Sequence, residues 1–172
     1  MSKYNNFREE IFGRTQIIWE EYLGRHKEDG FETTLAISIL SMVLMRVKAI
    51  GDEYGGEPFY HKFAEIVRKH SRICYGENNV CDAQEQDDEK VVRRLRNGFA
   101  HIFIYPEQPK GKITGVKICS RKEKPCFTYY FEAEEFCAFV DESLDFMRCF
   151  EAERKDKPDK CPEVQDGNAD LR

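Results

Sequence analysis

The sequence has no apolar run of membrane-spanning length and no excess of basic residues. Its most apolar stretch, from Leu35 to Leu44, is soon followed by Arg46 and Lys48, whereas a spanning helix needs roughly 20 apolar residues in succession. The 27 Lys and Arg residues are outnumbered by 32 Asp and Glu residues, and the net charge is −5. We therefore expect a protein that does not insert into a membrane and does not bind nucleic acid by bulk charge, so that any such contact comes from a local basic site.

No apolar leader opens the chain, and its seven cysteines are an odd number. Both features favour free thiols in a reducing cytoplasm. Six residues separate Cys74 from Cys81 and Cys119 from Cys126, a wider spacing than the roughly two to four residues typical of structural zinc sites. We therefore expect no metal or other cofactor, with a metal ion at these cysteines as the weaker alternative.

The composition is that of a folded protein, because 41% of the 172 residues are hydrophobic and 34% are charged. This length suits one domain with one core. Apolar residues become scarce after Glu151, where Pro158, Pro162 and Gly167 follow. We expect a single domain over residues 1–151 and a polar, disordered tail over residues 152–172.

Apolar residues recur at helical spacing in most of this domain and alternate late in the chain. The pattern predicts helices over about 5–25, 31–50, 59–70, 87–101 and 133–150, and a β-hairpin with strands near 113–118 and 127–131. Residues 71–84 read as an irregular connection. The predicted fold class is mainly α: a helical bundle with one β-hairpin inserted before the C-terminal helix.

The fourth predicted helix carries residues suited to phosphodiester chemistry. Arg93, Asn97 and His101 follow one another at intervals of four and share a face, while Arg96 lies about 140° round the axis from His101. An imidazole exchanges protons near neutral pH, and a guanidinium binds phosphate through two parallel hydrogen bonds. Cleavage of RNA by its own 2′-hydroxyl needs both a base and an acid, which two copies of this helix would supply.

The segment Arg96-Asn97-Gly98-Phe99-Ala100-His101 resembles the R-x4–6-H signature of HEPN domains. The helical order, with a hairpin before the last helix, is similar to a prokaryotic branch of that family over about residues 5–150. The resemblance implies a HEPN-like helical bundle and a metal-independent endoribonuclease that works as a homodimer with a composite active site. It implies that Arg96 binds the scissile phosphate, His101 is the acid and base, and Asn97 positions them.

The family's products are a 2′,3′-cyclic phosphate and a 5′-hydroxyl, and the resemblance also implies a toxin or defence role with an antitoxin or defence partner. Family toxins paired with a nucleotidyltransferase antitoxin often carry H-x-Y. Here Tyr105 lies four residues after His101, so the resemblance to that pairing is incomplete, and Tyr105 is a further candidate near the site.

Basic residues near the motif are candidates for binding RNA: Arg93 and Arg94 in a phosphate groove, and Lys112 and Lys117 on the hairpin. Other interpretations stay open. The hairpin cations also suit an exposed edge that resists aggregation, and Arg96 and His101 also suit a helix C-terminus, where cations are favoured. The alternative function is a non-catalytic HEPN-like module that binds RNA or nucleotide, or that dimerises.

Overall fold

The computed structural model describes residues 7–25, 32–51, 56–75, 80–81, 87–108, 113–120 and 126–153. These residues form five helices and five strands: α1 (Phe7–Arg25), α2 (Glu32–Ile50), α3 (Gly56–His70), β1 (Arg72–Tyr75), β2 (Val80–Cys81), α4 (Asp88–Ala100), β3 (Ile104–Glu107), β4 (Gly115–Ser120), β5 (Phe127–Glu132) and α5 (Ala133–Glu153). The predicted boundary at residue 151 stays a prediction. Residues 154–172, most of the predicted tail, lie outside the described residues.

The five predicted helices are confirmed, and α2 lies at the centre of the bundle. Its buried side chains recur every three or four residues, from Ala36 and Leu40 to Val47 and Ile50, and the helix packs against α4 and α5. By length and composition alone, Thr33–Ile50 is also apolar enough to cross a membrane. The periodic buried face is that of a helix packed in a protein core.

The predicted hairpin of β4 and β5 is confirmed, but it belongs to a larger sheet. All pairings are antiparallel, and the order is β2-β1-β5-β4-β3. The interpretation of residues 71–84 as irregular is wrong for β1 and β2. These strands are short, and β1 pairs with β5, more than fifty residues away, so local sequence carries little of the signal.

The sheet buries one face against the helices and leaves the other partly exposed. Val116, Ile118, Tyr129 and Phe131 are fully buried, whereas the residues that alternate with them are half-buried. The Tyr129 hydroxyl donates a 3.2 Å hydrogen bond to the Val91 carbonyl oxygen. This bond fixes α4 on the buried face of the sheet.

Cys74 corrects the expectation of free thiols, because it is disulfide-bonded. In the antiparallel register of β1 and β2, Cys81 is its opposite residue. Cys119, Cys126, Cys137 and Cys149 form no disulfide bond, as expected. The sequence did not reveal this environment of Cys74 because it depends on strands that were not predicted.

Candidate functional site

The candidate site lies on α4, which begins near Asp87 as the sequence predicts. Asp87 is the N-cap, and its Oδ1 atom accepts a 3.0 Å hydrogen bond from the Lys90 backbone N–H. Hydrogen bonds from Lys90 lower the pKa of Asp87. Asp88 lies 2.6 Å from Arg68 and 2.8 Å from His61, both on α3. The start of α4 is therefore held both by its own cap and by α3.

The last turn of α4 packs closely against β4 because Gly98 has no side chain at the point of contact. A Cβ atom there would lie 2.5 Å from Ile118 Cγ2 and 3.1 Å from the Cys119 carbonyl oxygen. Ile118 is fully buried, so the sheet has little room to move away. Gly98 thus sets how closely the end of the helix, and the motif residues around it, approach the sheet.

The helix ends in a Schellman motif directly after the motif histidine. His101 is the C-cap, the Ile102 N–H donates to the Phe99 carbonyl at 3.1 Å, and the Phe103 N–H donates to the Gly98 carbonyl at 2.9 Å. The Phe103 carbonyl then accepts a 2.9 Å hydrogen bond from the Cys119 N–H. These bonds satisfy carbonyl groups at the helix end and join the residue after the turn to the sheet.

Ile102 occupies the position of this motif that usually holds glycine. Its φ angle is +55°, in the left-handed region where a β-branched side chain crowds the backbone at a cost of about 1–2 kcal/mol. Its side chain is 79% exposed, so the strained residue is not used to fill the core. Sequence reasoning missed this residue, and the one available signal was its place immediately after the predicted helix end.

The side chains of Arg96, Asn97 and His101 have no polar partner among the described residues. Among the described residues, none of the three makes a side-chain hydrogen bond or ion pair, and the buried Arg96 Nε atom finds no hydrogen-bond partner. His101 is exposed, and its ring centroid lies 5.8 Å from that of Phe103. The arrangement leaves a cation, an amide and an imidazole available at the end of one helix.

The other described histidines, His61 and His70, form hydrogen bonds with carboxylates. The His61 Nδ1 atom lies 2.8 Å from Asp88, and this hydrogen bond raises the pKa of His61. Both ring nitrogens of His70 bond carboxylates, at 2.7 Å from Glu135 and 2.6 Å from Glu142. His101 therefore differs from both, because within the described part of the chain its ring nitrogens have no such partner.

The structure does not place the other candidate RNA-binding residues on one surface. Arg93 is half-buried on α4, one turn before Asn97. Arg94 is only 9% exposed, and its guanidinium carbon lies 3.8 Å from the Phe127 ring centroid. The structure thus separates Arg94 from Arg96, because the two residues point into different environments.

The hairpin candidates are also separated from the end of α4. Lys117 forms an ion pair with Glu107, and Tyr105 is opposite Lys117 in the register of β3 and β4. Both lie on the sheet face away from α4, since Ile118 on the alternate face is the residue that meets Gly98. Tyr105 is 38% exposed, and Lys112 lies outside the described residues.

Two other features of the described residues do not compete with this site. A shallow depression between α1 and α5 is lined by Glu10, Arg14, Ile17, Arg148 and their neighbours, and it includes no residue of α4. Within the same described segments, no three His, Cys, Asp or Glu side chains converge as metal ligands. The end of α4 is the place where uncommitted groups suited to acid, base and phosphate chemistry lie together.

Comparison with known proteins agrees with this fold. The family model described as HEPN pEK499 p136 matches residues 1–154. No curated protein and no solved structure matches the chain. The matched region contains every helix and strand described above and the whole Arg96–His101 segment. The chain therefore belongs to the HEPN family.

Proposed function

We propose that this protein is a metal-independent endoribonuclease of the HEPN type. The observation that carries the proposal is the state of Arg96, Asn97 and His101, whose side chains make no hydrogen bond or ion pair among the described residues. A structural arginine or histidine is normally paired, as Arg68 and His70 are here. Unpaired groups in a segment that resembles the R-x4–6-H signature are suited to an anionic substrate instead.

The proposed reaction is a transesterification, in which the scissile phosphorus forms a bond to the adjacent 2′-oxygen and loses its bond to the 5′-oxygen of the next nucleotide. One imidazole accepts the 2′-hydroxyl proton, and the resulting oxygen nucleophile attacks the adjacent phosphorus. The bond from phosphorus to the 5′-oxygen breaks, and a second imidazole gives that oxygen a proton. The products are a 2′,3′-cyclic phosphate and a 5′-hydroxyl, with every atom and proton accounted for.

The other residues of the motif bind the phosphate and orient the reacting groups. Arg96 binds the scissile phosphate and offsets the charge that builds up on its oxygens in the transition state. Asn97 orients the phosphate or the imidazole through its side-chain amide. Arg93, one turn earlier on α4, contacts an adjoining phosphate, and Lys112 and Lys117 remain candidates for more distant RNA contacts.

The need for two imidazoles leads to a homodimer. Each copy has one His101 at the end of α4, so two copies related by a two-fold axis supply the base and the acid to one cleft. We further propose that the protein acts in the cytoplasm as a toxin or defence factor, restrained by an antitoxin or a defence partner. These roles follow from family resemblance and await their own tests.

The direct test is incubation of purified protein with end-labelled RNA in EDTA. We expect cleavage to 2′,3′-cyclic phosphate ends, and a loss of about 10²–10⁴-fold in rate for His101→Ala, the size typical of a lost acid or base. Arg96→Ala should lose about 10²–10³-fold. The matched control is Lys62→Ala, which removes an exposed cationic side chain on α3 and should leave the rate unchanged.

Two outcomes contradict the proposal in different ways. Cleavage that survives both His101→Ala and Arg96→Ala shows that the reaction, if it occurs, uses other residues. RNA that binds tightly in a manner dependent on Arg96 but is never cleaved, with wild-type protein folded and dimeric, favours the alternative of a non-catalytic RNA-binding module.

A further inference from the structure

We propose that Ile102 is the apolar contact across the dimer axis, where it packs against Ile102 of a second copy of this chain. The inference rests on the proposed function, because it takes the dimer with facing His101 residues as given. It adds the residue that holds the two halves of the site together. The observations that carry it are the backbone strain, the exposure and the position of this side chain.

Within the described residues, the backbone strain at Ile102 is not offset by burial of its side chain. Glycine would adopt a φ of +55° at little cost, whereas isoleucine is crowded there. The surrounding hydrogen bonds, from Ile102 to Phe99 and from Phe103 to Gly98, need only the backbone. The side chain itself is 79% exposed, the largest exposed fraction among the exposed large apolar side chains of the described residues. A strained residue that its own fold does not require points to a function outside the chain.

The position of Ile102 determines what that outside contact is. It follows His101 directly, so its Cα atom lies about 3.8 Å from that of His101, and a two-fold axis that faces the two His101 rings passes near the Ile102 backbone of both copies. A residue at a two-fold axis meets its own copy. An aliphatic side chain is self-complementary there, whereas a charged one would repel its copy. RNA is a poorer occupant, because aromatic and arginine side chains are the usual partners of bases and phosphates.

The experiment compares wild type with Ile102→Gly and Ile102→Asn by sedimentation equilibrium and by cleavage rate over a range of protein concentrations. Both variants tolerate the left-handed backbone, but neither restores the apolar contact. We expect the dimer dissociation constant to rise at least about tenfold in both. Met45→Ala is the matched control, since it removes another exposed apolar side chain, on α2, and should leave the constant unchanged.

Cleavage by the Ile102 variants separates dimer contact from positioning of His101. The rate should fall at low protein concentration and recover as the concentration is raised, because the catalytic groups are intact. Ile102→Gly should also raise the melting temperature of the monomer by about 2–4 °C, measured below the dissociation constant, as the strain is relieved.

The outcomes distinguish this inference from the function on which it rests. A wild-type dimer whose dissociation constant is unchanged in both variants overturns the role of Ile102 alone. A cleavage rate that stays low at every concentration also overturns it, and assigns Ile102 to the RNA or to His101 instead. A wild-type chain that cleaves RNA as a strict monomer overturns the composite site and the inference together.

Discussion

At the residue scale, neighbours in the motif helix have opposite roles. Arg94 and Arg96 are separated by one residue, yet Arg94 lies over the Phe127 ring and is nearly buried. Arg96 makes no ion pair among the described residues, although its Nε atom is buried. On a helix, residues two apart face in different directions, so the sheet covers one arginine and leaves the other available.

The two arginines predict opposite variant behaviour. Arg96→Ala should change the free energy of unfolding by less than about 0.5 kcal/mol, while cleavage falls by the hundredfold or more given above. Arg94→Ala should lower the free energy of unfolding by about 1–2 kcal/mol, because it removes the contact with Phe127 and buried side-chain carbons. Urea unfolding and the RNA cleavage assay measure the two effects on the same preparations.

This pair of measurements also decides the role that the sequence suggested for Arg94. If Arg94→Ala melts like wild type but loses RNA affinity, the phosphate contact predicted from the sequence is restored and the packing role is wrong.

At the element scale, α4 shows which features local sequence predicts. Its start near Asp87 and its end near His101 were both predicted, because acidic residues mark one end and residues of extended character follow the other. The close approach of its last turn to β4 was not predictable, because it depends on the distance from Gly98 to Ile118, twenty residues later. Helix ends are local properties, whereas packing distances are not.

A substitution at Gly98 tests this close approach. In an ordinary helix, Gly→Ala stabilises by up to about 1 kcal/mol. Gly98→Ala should instead destabilise the protein by about 1–3 kcal/mol, because the added methyl group meets Ile118 and the β4 backbone. Thermal unfolding measures the change, and cleavage should fall as the motif is displaced.

Gly13→Ala provides the control on α1, because a Cβ atom at Gly13 would meet nothing within 4 Å. This variant should be as stable as wild type or more stable. Equal, stabilising effects at both positions would contradict the role assigned to Gly98.

At the scale of the whole molecule, a cluster of charged residues around the buried His70 joins α3 to α5. His70 is bracketed by Glu135 and Glu142, and Lys69 donates a 2.6 Å hydrogen bond to Glu142. Burial raises the pKa of Glu142, but the hydrogen bonds and charge interactions with Lys69 and His70 together lower it by more, so the pKa lies below its ordinary value of 4.5. The cluster connects the sequence-distant halves of the bundle.

The lowered pKa predicts how stability depends on pH. A carboxyl whose pKa is lower in the folded state contributes stability that is fully present above 4.5 and is lost as the pH falls through the folded value. Glu142→Gln should therefore reduce stability at pH 7 and flatten the loss of stability below pH 4.5. Urea midpoints between pH 3 and pH 7 measure both effects.

Glu134→Gln is the control, since Glu134 is an exposed residue of the same helix that makes no ion pair among the described residues. The loss of stability of this variant below pH 4.5 should match that of the wild type. If Glu142→Gln loses stability below pH 4.5 as the wild type does, then other carboxyls, such as Asp87 and Asp88, cause the pH dependence of stability.

The sequence by itself determined the helices, the hairpin and the place of the Arg96–His101 segment at a helix end. Those properties depend on residues within one or two turns of each other, where spacing and capping are enough. Only the tertiary structure decided that Arg94 is covered, that Cys74 is disulfide-bonded, that Lys117 faces away from α4 and that Ile102 is strained and exposed. Each of these depends on the pairing of distant strands and on which face of the sheet the helices cover. Local sequence patterns do not reveal the strand pairing or the covered face of the sheet, because contacts between residues far apart in the chain decide both.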